Sequence, residues 1–340
     1  MTAAPRVVVV APGTARHGVV AHARRAARAV GARFIALPAG PTAAIIAPRV
    51  IDQAATDVLH MHYTDQLFGR SCEEGPPVAG QLVRALARPT VITLHDVPGD
   101  DGDVRDARRI AAYRRVAALA DRVVVASAGE RDRLARIGVD RPVDVVSLAW
   151  ESLARLPIAP HTTPVIGILG FIFPGKGHVD VVHAAAALRR RVAVWAIGTV
   201  SDGHDELIRT LFELSARLDV PFHVSGFLSE PQLAATLAAV DVPVTSVHHG
   251  SASASLLTWI GAWRRPLARY SAFTSEIASL APGSVHLYDG DEPDQLVSAI
   301  RLALADPAST RATARPAALA PASVAAQTRS VYGRVAGGTE

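Results

Sequence analysis

The sequence contains one cysteine, Cys72, so no disulfide can close within the chain and a reducing compartment is expected. Aromatic residues make up only 5% of it, and no arginine cluster is interleaved with them. A base-stacking surface is therefore not expected, which argues against a nucleic-acid partner. No apolar run reaches the length of a membrane-spanning helix. The stretch from Met1 to Val10 lacks the basic start, apolar middle and small-residue cleavage site of a signal peptide. A cytoplasmic location is the expectation. Lysine is nearly absent as well: among 35 basic residues, Lys176 is the single lysine.

Arginine and alanine are abundant. The 35 basic residues against 31 acidic ones leave a formal charge of +4, and a guanidinium-rich chain suits an anionic ligand. At 340 residues, 49% of them hydrophobic, the chain is comfortable as two domains that each bury a core.

Short apolar runs alternate with amphipathic stretches. Arg6–Ala11, Arg33–Leu37, Asp57–Met61, Thr90–Leu94, Arg122–Ala126 and Val143–Leu148 read as strands, separated by helices such as Val19–Val30, Val78–Ala87, Val104–Ala120 and Gly129–Ile137. Prolines 157, 160 and 164 then interrupt the pattern. A second set restarts with Val165–Leu169, Val192–Ile197, Phe222–Ser225, Val242–Thr245, Pro266–Ala268 and Val285–Leu287. The repeat implies an α/β protein with two Rossmann-like, doubly wound domains, over 1–155 and 164–315. A tail over 316–340 is read as ending in a helix, Ser323–Val335, that packs back on the first domain.

Ligands of open α/β sheets bind beyond the carboxyl ends of the strands, so four loops carry the candidate chemistry. After the first strand, Gly13 and Gly18 allow close backbone approach at a helix start, with His17 between them. The loop is not Gly-x-Gly-x-x-Gly and no acidic residue ends the second strand, so a nicotinamide dinucleotide site is not expected. After the fourth strand stand His95 and Asp96, near His62-Tyr63 at the end of the neighbouring strand. A histidine there can hydrogen-bond a substrate hydroxyl or steady developing charge, and Asp96 can accept from another hydroxyl.

The third loop runs Gly170-Phe171-Ile172-Phe173-Pro174-Gly175-Lys176-Gly177. An ammonium on a flexible stem beside free backbone donors binds a diphosphate well. The spacing also nearly matches a nucleoside-triphosphate P-loop, but Gly177 stands where Ser or Thr must ligate magnesium, which makes a P-loop nucleotidase the lesser alternative. In the fourth loop, Ser251, Ser253 and Ser255 precede Leu256 at a helix start, an arrangement able to hold a second phosphate or a ribose. His248-His249 has no carboxylate or cysteine at ligand spacing, so no metal site is expected.

In this order the motifs resemble the retaining glycosyltransferases of family 4, of the GT-B fold. The resemblance rests on Thr93-Leu94-His95-Asp96, on Ala120–Ser127 followed by Glu130-Arg131, on Gly170–Gly177, on Gly226–Ser229 with Leu233 and Asp241, and on Arg265-Pro266-Leu267. It implies two facing domains, acceptor in the first and nucleotide-diphosphate sugar in the second, with no cofactor beyond that co-substrate and no catalytic metal. Lys176 matches the lysine on the donor diphosphate and His95 the histidine beside the reacting sugar. Gly13, Gly18, Gly170, Phe171, Ser251, Ser253, Ser255 and Leu256 fall on the donor side. His17, His62, Tyr63 and Asp96 fall on the acceptor side. The acceptor is a small molecule or a lipid-linked glycan, and the arginine pairs on the first-domain helices motivate a weak peripheral membrane contact. The chain departs from the family at Phe171, where many members carry arginine, and at Ser251 and Trp259, where two glutamates are common. A non-catalytic, transferase-like partner subunit is the alternative.

Overall fold

The computed structural model describes residues 4–99, 104–157, 162–248 and 252–337, and the chain divides into two compact units. The first comprises the residues up to Leu148 and those from Pro321 onward. In it β1 (Val7–Pro12), α1 (Gly18–Val30), β2 (Arg33–Leu37), α2 (Thr42–Val50), β3 (Val58–Tyr63), α3 (Asp65–Phe68), α4 (Gly75–Leu86), β4 (Thr90–Leu94), α5 (Val104–Ala117), β5 (Arg122–Val125), α6 (Ala128–Arg136) and β6 (Val143–Val145) alternate. The strands form one parallel sheet in the order β2-β1-β3-β4-β5-β6. Every residue of β1, β3 and β4 is buried, as expected of central strands covered by helices on both faces.

The second unit spans Ala149–Ala320. Its elements are β7 (Val165–Leu169), α7 (His178–Ala186), β8 (Ala193–Ile197), α8 (Asp205–Arg217), β9 (Phe222–Val224), α9 (Glu230–Ala239), β10 (Val242–Thr245), α10 (Ala254–Gly261), β11 (Leu267–Arg269), α11 (Ala272–Leu280), β12 (His286–Tyr288) and α12 (Pro293–Ala305). Here the parallel order is β12-β11-β10-β7-β8-β9, which is the dinucleotide-binding order 3-2-1-4-5-6 counted within the unit. The first sheet instead begins 2-1-3, the flavodoxin-like order. The sheets thus reverse direction at different places, between β1 and β3 in one and between β7 and β10 in the other.

The last helix, α13 (Pro321–Ala336), packs on α1 and on β3 and β4, burying Val324, Ala325, Val331 and Tyr332 in the first unit. Two local differences from the sequence reading have clear causes. Residues 42–50, which the sequence pattern places in no element, form α2 despite Pro48, because Ala43, Ala44 and Ala47 give the helix a small face to bury. The last strand of the first sheet stops at Val145 rather than Leu148; Val146 still donates to the Val125 carbonyl at 2.9 Å before the chain leaves the sheet. The proline-punctuated stretch before Pro164 is partly packed on the second unit. Leu153 is buried beside Trp259, and a Cβ on Gly261 would lie 1.9 Å from the Glu151 carbonyl oxygen.

Candidate functional site

In the second unit the loop after β7 and the start of α10, which follows β10, meet at the reversal point of the sheet. Gly170 turns the chain out of β7 at φ +114°, and a Cβ there would sit 3.1 Å from Lys176 Nζ. Only glycine combines that backbone with that approach. Lys176 donates to Ser255 Oγ at 2.9 Å, Ser255 Oγ is 3.0 Å from Ser253 Oγ, and Ser253 caps α10 by accepting weakly from Leu256 N at 3.4 Å. The structure therefore gathers Gly170, Lys176, Ser253 and Ser255. Gly198 belongs with them and was missed: a Cβ on it would lie 2.2 Å from the Gly170 carbonyl oxygen. Ser251 lies outside the described residues.

Lys176 is the electrostatic centre of this group. It is buried, with 6% of its surface exposed, and among the described residues no carboxylate pairs with it. Burial alone pushes its ammonium down to about 8. Beside it His178 is buried with neither ring nitrogen partnered, and is pushed down to about 3 by burial and then by the charge of Lys176. α7 begins at Gly177 with no side-chain cap, which leaves first-turn N–H groups to be met from outside the helix. An unpaired buried cation beside such a helix start is arranged to receive an anion.

Gly177 also bears on the P-loop alternative. It holds φ +88°, and a Cβ there would lie 2.3 Å from the Ser246 carbonyl oxygen. The position has no space for the magnesium-ligating hydroxyl that such a loop requires.

In the first unit the strand alternation sorts the candidates. His60 and His62 face one side of β3 and Tyr63 the other. Tyr63 is corrected from acceptor-side to core residue: it is fully buried against Phe68 and Tyr113, and a Cβ on Gly75 would lie 2.3 Å from its hydroxyl. His62 Nδ1 lies 3.0 Å from His95 Nε2, while His60 Nδ1 lies 2.7 Å from Tyr332 Oη and its Nε2 2.7 Å from Thr93 Oγ1. His22 of α1 joins them with its ring centroid 5.4 Å from that of His62 and 5.5 Å from that of His95. These groups border a cavity of about 30 Å³, room for one or two waters. Burial holds His62 and His95 well below the usual histidine range, so both rings are neutral at physiological pH.

The loop carrying His95 is held firmly. His95 N donates to the Tyr63 carbonyl at 2.9 Å and the Tyr113 hydroxyl to the His95 carbonyl at 2.6 Å. Asp96 adopts φ +52°, a strained setting for a non-glycine residue, and its carboxylate accepts from Thr64 Oγ1 at 3.2 Å while its carbonyl accepts from Arg109 at 2.9 Å. Arg109 is further tied to Asp65 at 2.8 Å, so this arginine is engaged within the unit rather than presented to a membrane.

Several candidates have plainer local roles. His17 caps α1, its Nδ1 accepting from Val19 N at 3.2 Å. Gly13, at φ +112°, leaves room for Leu67, whose Cδ2 a Cβ would approach to 2.8 Å; Gly18 has open space around it. The Leu256 side chain is core, so what it can offer a ligand is its backbone at the start of α10. Phe171 extends from the Lys176 loop with its side chain exposed. Trp259, at the place of a glutamate in many family members, is fully buried and presents nothing to a ribose. Glu130 is buried, accepting from Ala126 N at 2.9 Å while its own N donates to Ser127 Oγ. Among the described residues no cluster of histidine, cysteine or carboxylate side chains is arranged to hold a metal, and no helix is long and apolar enough to cross a membrane.

Residues 3–149 match the family model described as a glycosyl transferase 4-like domain. Among solved structures the chain is similar to a glycosyltransferase from Rickettsia africae, at 14% identity and TM-score 0.73, over 97% of this chain and 98% of that one. It is similar to HepE of Anabaena in complex with UDP and glucose, at 14% identity and TM-score 0.71, over 97% and 95% of the two chains. Sucrose-phosphate synthase of Thermosynechococcus elongatus aligns at 14% identity and TM-score 0.68, over 97% and 94%. No curated protein matches the chain. The fold is GT-B, two doubly wound parallel sheets of six strands each. The family-model match lies in the first unit, and the likeness to these solved structures is one of fold.

Proposed function

We propose that the protein transfers a sugar from a nucleoside-diphosphate donor to an acceptor hydroxyl, with retention and without a catalytic metal. The observation that carries this reading is Lys176, a buried cation whose polar partner is Ser255 Oγ rather than a carboxylate. An ammonium kept out of water without a counter-ion is unfavourable until an anion arrives, and a diphosphate supplies one. As the glycosidic bond breaks, negative charge grows on the leaving diphosphate, so a fixed cation and helix N–H groups stabilise the transition state more than the bound donor. His95, neutral and held by its backbone, is assigned to a hydroxyl of the transferring sugar. HepE has been solved with UDP and with UDP-glucose, which makes a uridine-diphosphate sugar the first donor to test.

Thermal shift against a panel of nucleoside diphosphates tests the reading, since a ligand that binds the native state raises its apparent stability. One diphosphate is expected to raise the melting temperature of the wild type and to lose that effect with Lys176→Ala. An equal shift in the variant would overturn the assignment of Lys176. A shift without turnover of any sugar nucleotide would favour a non-catalytic, transferase-like subunit.

A further inference from the structure

The hydrogen bond between His62 Nδ1 and His95 Nε2 can run in either direction, and the direction decides what His95 offers a substrate. We propose that His62 is a positioning residue that donates to His95, the last link of a one-way chain from Tyr332 that leaves His95 Nδ1–H as a hydrogen-bond donor.

The chain begins at a phenol. Among the described residues, the hydrogen-bond partner of the buried Tyr332 hydroxyl is His60 Nδ1, at 2.7 Å. A phenol that only accepted would leave its own hydrogen unmet, so Tyr332 donates to His60 Nδ1. His60, neutral, then carries its proton on Nε2 and donates to Thr93 Oγ1 at 2.7 Å. Thr93 must in turn give its hydroxyl hydrogen away. Thr93, His60 and His62 border the same small cavity, which has room for a water able to accept from Thr93 and donate onward.

His62 completes the argument. Its Nε2 is buried and has no partner in the protein. If His95 were the donor, a neutral His62 would carry its proton on Nε2. That buried N–H and the Thr93 hydroxyl would then both donate to the same water, and neither of that water's own hydrogens could go to His62, in a cavity whose walls are mainly apolar. Buried N–H groups without an acceptor are the rarer defect. With Nε2 as a lone pair, the water donates to it, His62 Nδ1–H donates to His95 Nε2, and the neutral His95 ring presents Nδ1–H. A ring that burial keeps from acquiring a second proton can donate to a sugar hydroxyl only through such a fixed tautomer.

The proposal deepens the assignment of His95 to a sugar hydroxyl, and its test does not depend on transfer activity. Long-range ¹H–¹⁵N correlation spectra of the full chain with ¹⁵N-labelled histidine, near pH 7.5, report which ring nitrogen carries each proton. Single His→Gln variants supply the assignments. His62 and His95 are expected with Nδ1 protonated and His60 with Nε2 protonated. His62→Phe should then return His95 to the Nε2–H form that imidazole side chains favour in water. A wild-type His95 protonated on Nε2 would overturn the proposal while leaving the proposed function untouched. The expected tautomers in a protein that turns over no sugar nucleotide would uphold the chain and overturn only the function.

Discussion

The two units solve the burial of polar groups in opposite ways. At the β7/β10 reversal point the second unit buries one cation and leaves it without a carboxylate. The first unit buries His60 and His62 and partly buries His22 and His95, strips them of charge, and ties them to one another and to Tyr332 and Thr93. Its cluster sits at β3 and β4, one strand beyond that sheet's own reversal between β1 and β3. On the proposed function the difference follows ligand chemistry. A phosphate is best met by a fixed charge, whereas a sugar hydroxyl, which both donates and accepts, is best met by neutral rings with a set direction.

The sharpest way to break this contrast is to remove the cation. Lys176→Met is expected to lower turnover of the sugar nucleotide by roughly 10²–10³-fold, the scale of losing one preorganised transition-state contact. The unliganded variant should melt no lower than the wild type, because an unpaired buried charge has been replaced by an apolar chain of similar length. Steady-state assays and melting curves on the same preparations check both halves. A variant that loses activity and stability together would show that Lys176 holds the loop rather than the ligand.

The first unit should show its neutrality as acid sensitivity. His60 is pushed down to about 3 by burial, against 6.5 when unfolded. Below pH 6.5 the unfolded chain therefore binds more protons than the native one, and stability falls as pH falls toward 3. At pH 5 a ring shifted like His60 accounts for roughly 2 kcal/mol of lost stability. Urea melts from pH 7 to pH 5 should reveal that slope, and His60→Gln should flatten it. An unchanged slope in the variant would mean that His60 is already solvated in the native state.

Legibility in the sequence followed the range of the interaction. The Lys176 loop could be read because its signals are local: glycines that allow unusual backbone, a lone lysine and a helix start. His95 was readable from its place after an apolar run. The partners of these residues were not. Tyr332 bonds His60 from 272 positions away, and nothing in helix periodicity says which residue of a terminal helix will meet which strand. His60 looked like one member of a buried run, and His22 like part of a basic helix. The reason for glycine at 198 is the carbonyl of Gly170 on the neighbouring strand's loop, a contact that sheet order creates. Motifs alone could not fix that order either; the 2-1-3 and 3-2-1 arrangements arise from the same alternation of strands and helices.

The smallest expected effect sharpens the comparison most, because it separates a charged site from a neutral one by pH alone. In the unliganded protein the Lys176 ammonium is held down to about 8 by burial. A bound diphosphate favours the charged form and raises that value, so binding near pH 8 takes up a proton. Affinity is then full below pH 8 and falls above it, as the fraction of protein carrying the ammonium falls. For a group at about 8, the diphosphate should bind roughly tenfold more weakly at pH 9 than at pH 7. Calorimetry in two buffers of different ionisation enthalpy would show the proton uptake directly, and Lys176→Met should abolish both the uptake and the pH dependence. His22, His60, His62 and His95 already sit below this range, so a pH dependence that survives in Lys176→Met and is not the ligand's own would have to come from another group of the protein, and Lys176 would lose its place as the charged centre of the comparison.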